Sequence, residues 1–238
     1  MNQGAYKLLR KRRVSGVVLL VVFSLIALYA PREVEAPINT DVLSYETYST
    51  ERAVDVLDRL EIKGRAPKTG YSRSEFGDGW ASLDGCDLRN IMLNRSLDDV
   101  ELFDDDCTVA SGVLNDPYTG QTIQFLRGTT TSNDVQIDHV VALSDAWQKG
   151  AQQLDFSDRV VLANDPLNLL AVDGEANQQK GDSDAASWLP SNISFRCRYV
   201  ARQIAVKDKY SLWVTEAEYA TMRRILNGCG EQRIPVEL

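Results

Sequence analysis

One stretch, residues 135–190, sets the strongest limits on how this 238-residue chain can fold. It contains two short, mainly apolar runs and then a polar segment, a pattern that predicts strand, strand and helix. These three parts are residues 135–143, 169–172 and 174–180. The first run contains the adjacent pair Asp138 and His139, and His139 is the only histidine in the chain. The pattern therefore predicts a small unit in which one carboxylate and one imidazole lie on the first strand.

The polar side chains of this stretch are of the types that phosphodiester hydrolysis needs. An imidazole accepts a proton from water near neutral pH, and carboxylate and amide oxygens suit Mg²⁺, which binds substrate phosphate. Asn168 precedes the second run, and Asn177 and Lys180 lie in the polar segment. A single histidine beside an aspartate is more often structural than catalytic, but packing has no need for two asparagines and a lysine around apolar strands.

The order of these residues resembles the HNH, or ββα-metal, endonucleases. Asp138-His139, Asn168, Asn177 and Lys180-Gly181 are similar to the His-Asn-Asn version of that motif, as in the HNH domain of RNA-guided CRISPR nucleases. A wider set resembles the secreted actinobacterial HNH proteins, which share their nuclease domain with the C-terminal part of GmrSD-type restriction enzymes. This set comprises residues 138–143, 146–147, 159, 163–166, 180–182 and 188–190, and upstream residues 71–73, 76–77, 80 and 85–89.

The resemblance implies an α+β fold with a ββα-metal (HNH/His-Me finger) core at 135–190. We expect this core to carry an added N-terminal helix, a hairpin and C-terminal helices, within a disulfide-stabilised domain over residues 49–238. The resemblance also implies hydrolysis of DNA that depends on a divalent metal, with Mg²⁺ expected and Mn²⁺ as the alternative. The products would carry 5′-phosphate and 3′-hydroxyl ends.

The resemblance also assigns a role to each residue of the motif. His139 is expected to be the general base that activates water, and Asp138 and Asn177 to hold the metal. Asn168 is expected to orient the histidine loop rather than bind metal. Lys180 would neutralise phosphate charge, and a structural lysine at the helix start is the alternative.

Three arginines are further candidates for contact with the substrate. Arg73 and Arg89 lie upstream of the motif, and Arg159 lies between the two predicted strands. The guanidinium group is a fixed fork of donors that suits phosphate. Ion pairs with Asp84 or Asp87 are the alternative for the first two, and anchoring of the inserted helices is the alternative for Arg159.

The beginning of the chain has the pattern of an export signal. Residues 1–30 contain five basic residues and no acidic residue, and an apolar run occupies 14–30. This length lies between that of a signal peptide and that of a membrane anchor, so both remain open. Residues 31–48 resemble a linker. We expect a bacterial protein that is secreted or anchored to the outer face of the cytoplasmic membrane, with membrane contact only through residues 1–30. No protein partner can be deduced.

The cysteines agree with export. The chain contains four, none of them in a C-x-x-C pair, so zinc spacing is absent. Two disulfides are expected in an oxidising compartment, and four buried thiols are the alternative. Of the three possible connectivities, we favour the one that places one disulfide before the motif and one after it. This connectivity pairs Cys86 with Cys107 and Cys197 with Cys229.

The charge balance argues against a protein that covers long tracts of nucleic acid. The formal net charge is −8, of which residues 1–30 contribute +5, so residues 31–238 carry −8 − 5 = −13. Basic surface usually supplies nonspecific affinity for a polyanion, whereas a metal-dependent nuclease needs positive charge only at the scissile phosphate. Two other functions remain open: a catalytically silent cell-envelope binding or structural module on the same scaffold, and a nuclease directed at RNA.

The rest of the chain predicts further elements. Apolar spacing predicts a first helix over 50–62 with Thr50 as its N-cap, and turn residues at 115–120 predict a hairpin. Trp147 is expected in the core, and the acidic segment 98–106 is expected to be a solvated loop. Four basic residues near the end of the chain are expected on solvated helix surface, with a modest basic face as the alternative: Lys207, Lys209, Arg223 and Arg224. Further helices are predicted over 142–150, 157–163, 195–207 and 215–227, and the hairpin strands over 107–114 and 121–126.

Overall fold

The computed structural model describes residues 47–237, which form a mixed α+β structure. The described residues contain nine strands: β1 (Thr47–Arg52), β2 (Ser82–Leu83), β3 (Cys86–Asp87), β4 (Asp98–Leu102), β5 (Val109–Asn115), β6 (Thr122–Leu126), β7 (Val135–His139), β8 (Leu169–Asp173) and β9 (Arg233–Glu237). They also contain seven α-helices: α1 (Ala53–Arg59), α2 (Leu88–Ser96), α3 (Leu143–Gln148), α4 (Phe156–Asn164), α5 (Gly174–Lys180), α6 (Arg196–Lys209) and α7 (Glu216–Leu226).

The strand, strand and helix order predicted for the motif is confirmed. Strands β7 and β8 pair antiparallel, with Val135 opposite Asp173 and His139 opposite Leu169. Helix α5 follows β8 directly, because the Asp173 side chain accepts a hydrogen bond from the Ala176 N–H and caps the helix. The four helices predicted elsewhere are confirmed with ends that differ by two residues at most, and the hairpin is confirmed as β5 and β6.

One local prediction was wrong, one was right only in part, and one helix was missed. Residues 50–52 are not helical: they belong to β1, which pairs with β9 at the other end of the chain, so α1 begins only at Ala53 and Thr50 is not its cap. The acidic segment 98–106 is mostly exposed, as expected, but it is not only a loop, since residues 98–102 form β4 against β5. The sequence analysis also missed α2, which Asp87 caps through the Asn90 N–H.

The β7–β8 pair lies between two hydrophobic clusters. Alternate side chains of the two strands, Val135, Ile137, Leu169 and Ala171, belong to a smaller cluster with α2 and the β4–β5–β6 sheet. On the opposite face, Val172 belongs to the larger cluster, which also contains the predicted core residue Trp147 and side chains from α1, α6 and α7. Packing on both faces fixes the register of the pair, since a slip of one residue would exchange its two faces.

Both expected disulfides are confirmed. Cys86 and Cys107 join β3 to the segment before β5, with a Cα–Cα distance of 5.5 Å. Cys197 and Cys229 join α6 to the segment after α7, with a Cα–Cα distance of 5.7 Å. No cysteine among residues 47–237 is free.

The predicted export segment, 1–30, and nearly all of the predicted linker, 31–48, lie outside the described residues. Within 47–237, none of the helices is both long enough and apolar enough to cross a membrane.

Candidate active site

The imidazole of His139 is held at the end of β7 with one nitrogen engaged. The residue is 7% exposed, and its Nε2 lies 2.8 Å from the carbonyl oxygen of Ala163. A carbonyl oxygen only accepts, so Nε2 must carry the proton, and Nδ1 keeps its lone pair in the neutral ring. Burial lowers the pKa of His139 from 6.5 to about 3, and the positive charges of Arg73 and Lys180 act in the same direction. The ring is therefore neutral at pH 7, and it is a weak base until a nearby negative charge favours the imidazolium form.

Trp80 covers one face of this imidazole. The two ring centroids are 5.7 Å apart and the ring planes differ by 11°. The next residue, Ala81, donates its N–H to the side-chain oxygen of Asn164 at 2.8 Å. Ala163 and Asn164 are consecutive in the last turn of α4. One helix end therefore fixes both the imidazole and the loop that carries the indole.

A cavity of about 190 Å³ adjoins the imidazole. Its lining side chains include Arg73, which is exposed to solvent, as well as Trp80 and His139. The other lining residues are Phe76, Gly77, Gly79, Leu143 and Ala163. The structure thus brings the predicted arginine and the predicted base together at one opening. Substrate contact by Arg73 stays a prediction.

Asn168 is completely buried and binds the segment that follows His139. Its side-chain oxygen accepts from the Val141 N–H at 2.8 Å, and its side-chain nitrogen donates to the carbonyl oxygens of Val141 and Leu162. Its own carbonyl accepts from the Val140 N–H at 2.8 Å. These bonds support the expected role of Asn168 in orienting the segment around His139. That role remains a proposal.

Asp138 points away from the His139 face, as expected for neighbouring residues on a strand. It is 6% exposed, and burial raises the pKa of its carboxyl. One carboxylate oxygen accepts from the Tyr118 hydroxyl at 2.5 Å, and the other accepts from Lys180 Nζ at 3.0 Å. Lys180 is 1% exposed and also donates to the His139 carbonyl oxygen at 2.9 Å.

The expected metal ligands can be tested against these contacts. The Asn177 side-chain nitrogen donates to the Gln136 side-chain oxygen at 2.9 Å, so the Asn177 amide oxygen is the end suited to a cation. Both Asp138 oxygens already have partners, and one partner is an ammonium group. Among the described residues, no three His, Cys, Asp or Glu side chains are grouped to hold an ion. This arrangement does not fit a divalent ion shared by Asp138 and Asn177, and their ligand roles stay predictions.

The other two candidate arginines bind protein groups. Arg89 donates to the carbonyl oxygens of Ser132 and Val135, at 3.3 and 3.5 Å. Arg159 donates to the backbone oxygen and the carboxylate of Glu75, so it ties α4 to the segment that carries Arg73. These contacts match the anchoring alternative for Arg159. Substrate binding by Arg89 and Arg159 stays a prediction.

Sequence reasoning missed three residues around the motif: Trp80, Tyr118 and Ala163. Trp80 lies in the upstream segment that resembles the secreted proteins, but nothing in that segment pairs it with the histidine. Tyr118 lies in a turn-rich segment, 115–120, and is completely buried in the structure. Ala163 contributes only a backbone oxygen, for which residue type gives no signal.

This chain is similar in sequence to known proteins. Residues 92–225 match the family model described as GmrSD restriction endonucleases, C-terminal domain. An uncharacterized secreted protein of Arthroderma benhamiae is 36% identical over 214 residues, which cover 89% of this chain and 98% of that protein. No solved structure matches this chain.

Proposed function

Because this chain belongs to the family of GmrSD restriction endonuclease C-terminal domains, we propose that it is an exported HNH endonuclease that hydrolyses phosphodiester bonds in DNA. The observation that carries the proposal is the state of His139: its ring is buried and neutral, and Ala163 holds Nε2–H, which leaves Nδ1 to accept a proton. The ring lines a cavity together with Arg73, and a guanidinium group suits a phosphate.

In this mechanism, Nδ1 of His139 takes one proton from a water molecule as the water oxygen bonds to phosphorus. The bond from phosphorus to the 3′ oxygen breaks, and that oxygen takes up a proton from solvent. The products carry 5′-phosphate and 3′-hydroxyl ends. The negative phosphate beside the ring favours the imidazolium form, so substrate binding raises the pKa of His139 toward the working pH. Arg73 stabilises the charge on the phosphate.

Divalent-metal dependence is part of the proposal and is supported by the HNH-like motif. Mg²⁺ is the expected ion and Mn²⁺ the alternative, and such an ion would supply electrostatic stabilisation of the phosphate. Asn177 is the proposed residue to bind it through its amide oxygen. The contacts of Asp138 do not fit a shared ion, so no step is assigned to the metal.

Export is supported by three observations. The relative from Arthroderma benhamiae is described as a secreted protein. Both disulfides are formed, and disulfides persist in oxidising compartments. The basic and apolar pattern of residues 1–30 is that of an export segment.

The test is cleavage of supercoiled plasmid and of single-stranded RNA by the purified full-length chain in Mg²⁺, Mn²⁺ or EDTA. The proposal predicts nicking or degradation of the plasmid that stops in EDTA, with fragments that a ligase rejoins because their ends are 5′-phosphate and 3′-hydroxyl. Cleavage of RNA alone would overturn the substrate assignment. No cleavage of either by folded protein would favour a catalytically silent envelope module.

A further inference from the structure

The buried contacts around Asp138 form a network that ends on β7, the strand that carries His139. We propose that Asp138 and Lys180 are positioning residues that fix the end of β7 carrying His139. In this proposal Asp138 does not bind a metal and Lys180 does not bind the phosphate. The kinetic part of this inference rests on the proposed nuclease function. Its spectroscopic part does not.

The first argument is that the Asp138 carboxylate has no free oxygen. The Tyr118 hydroxyl and Lys180 Nζ each bind one oxygen, at 2.5 and 3.0 Å. A divalent cation on this carboxylate would face the ammonium of Lys180 at close range, in a buried site where like charges repel strongly. Release of Lys180 would leave a buried ammonium without its carboxylate partner, which is strongly destabilising.

The second argument is the position of Lys180. The side chain is completely buried, so it lies away from solvent and from an incoming polyanion. It bonds two successive groups of β7, the Asp138 carboxylate and the His139 carbonyl oxygen. Lys180 is the last residue of α5, so it joins that helix to the end of the strand.

The third argument is that Tyr118, which binds Asp138, is held in place by packed aromatic rings. Tyr118 is completely buried, and its ring contacts those of Trp188, Phe195 and Tyr199 at centroid distances of 5.0 to 6.3 Å. The hydroxyl that binds Asp138 is therefore fixed by a packed aromatic group. The His139 backbone is held from one side by this network and from the other by Asn168, which binds the two residues that follow.

The spectroscopic test uses the fact that His139 is the only histidine. A ¹H–¹⁵N spectrum of the imidazole ring, recorded in EDTA, reports on this residue alone. The Lys180→Met variant is expected to shift or broaden the ring signals without any metal, whereas Asn177→Ala, on the same helix, is expected to leave them in place. Unchanged ring signals in folded Lys180→Met protein would overturn the positioning role.

The kinetic test separates a positioning role from metal binding. Loss of an orienting partner typically costs 10- to 100-fold in activity, so Asp138→Asn is expected to lower kcat by about that factor. It should change the half-activating Mg²⁺ concentration by less than about twofold, while Asn177→Ala should raise that concentration by about tenfold or more. An increase with Asp138→Asn as large as that with Asn177→Ala would identify Asp138 as a ligand.

The double variant Asp138→Asn/Lys180→Met protects these tests against misfolding. It removes both charges and keeps both shapes, so it should be more stable than either single variant. It should also keep the half-activating Mg²⁺ concentration of the unaltered protein, and a tenfold increase would overturn the proposal. If the unaltered protein cleaves no nucleic acid, the proposed function fails, and the metal-free spectra still decide the roles of Asp138 and Lys180.

Discussion

The imidazole of His139 lies between the ring of Trp80 and the backbone of Ala163, where water no longer stabilises its charged form. Burial lowers its pKa to about 3 from 6.5. A histidine in the unfolded chain binds a proton below pH 6.5, whereas the folded one remains neutral down to about pH 3. The unfolded state therefore binds more protons in this window, and stability must fall as pH falls through it.

This linkage gives a prediction at the scale of one residue. Between pH 7 and pH 4, His139 should contribute a loss of stability on the order of a few kcal/mol. His139→Gln removes the titrating group, so its urea unfolding free energy should decline less over this interval than that of the unaltered chain. The other titrating groups are the same in both proteins, so their contributions to the decline in unfolding free energy cancel in the comparison. Equal declines in the two proteins would show that the imidazole is not buried and neutral.

At this scale, the sequence predicted the polar residues of the motif but not the groups that hold them. Asp138, His139, Asn168 and Lys180 stand out because packing does not require such side chains between apolar strands. Their partners could not be predicted, because they come from distant segments: Tyr118 lies 20 residues before Asp138, and Ala163 lies 24 residues after His139. Local patterns carry no information on such pairs.

At the scale of elements, α4 organises the surroundings of His139. Its last turn binds the imidazole and the backbone next to Trp80, and Arg159 binds Glu75. The loop containing Gly77 packs against Val160 of the same helix. The helix was predicted from its sequence, but its role depends on a loop some 80 residues earlier. Only the folded structure shows that contact.

Gly77 offers a test of this packing. Its φ is +94°, and an added Cβ would lie 3.3 Å from a Val160 methyl group. Gly77→Ala should therefore lower the unfolding free energy by about 1–3 kcal/mol, as is usual for strained backbone positions. Gly64→Ala is the matched control, because nothing lies within 4 Å of its added Cβ and no positive φ is recorded there. A loss of stability in the control equal to that of Gly77→Ala would contradict the packing argument.

At the scale of the whole molecule, a buried ion network joins distant segments. Lys149 Nζ lies 2.8 Å from carboxylate oxygens of Asp145 and Asp184 and 2.6 Å from one of Glu218, and all four residues are buried. Lys207 lies 3.1 Å from Glu218 and is completely buried. The sequence prediction of a solvated helix face was therefore wrong for Lys207. A run of charged residues usually indicates solvent exposure, unless the fold buries oppositely charged groups beside them. Here three separate segments supply buried carboxylates, from Asp145, Asp184 and Glu218.

Removal of the central cation should destabilise the whole domain. Lys149→Met leaves three buried carboxylates with less compensation, so we expect a loss of about 3–5 kcal/mol in the unfolding free energy. Lys63→Met is the matched control: Lys63 is exposed, pairs with Glu61 and lies 5.1 Å from the Trp213 ring centroid. Exposed contacts of either kind contribute about 1 kcal/mol at most. Urea unfolding measures both. A loss below about 1 kcal/mol for Lys149→Met would show that the network contributes little.

The central claim is that His139 is the base of a nuclease. Plasmid cleavage in Mg²⁺ by the unaltered chain, His139→Ala and Arg224→Ala tests it most directly. The last variant alters an exposed residue of α7 as a control. Loss of a general base typically costs 10²- to 10⁴-fold, and we predict a decrease of about that size for folded His139→Ala, with Arg224→Ala close to the unaltered rate. Retention of more than about a tenth of the activity by His139→Ala would contradict the claim.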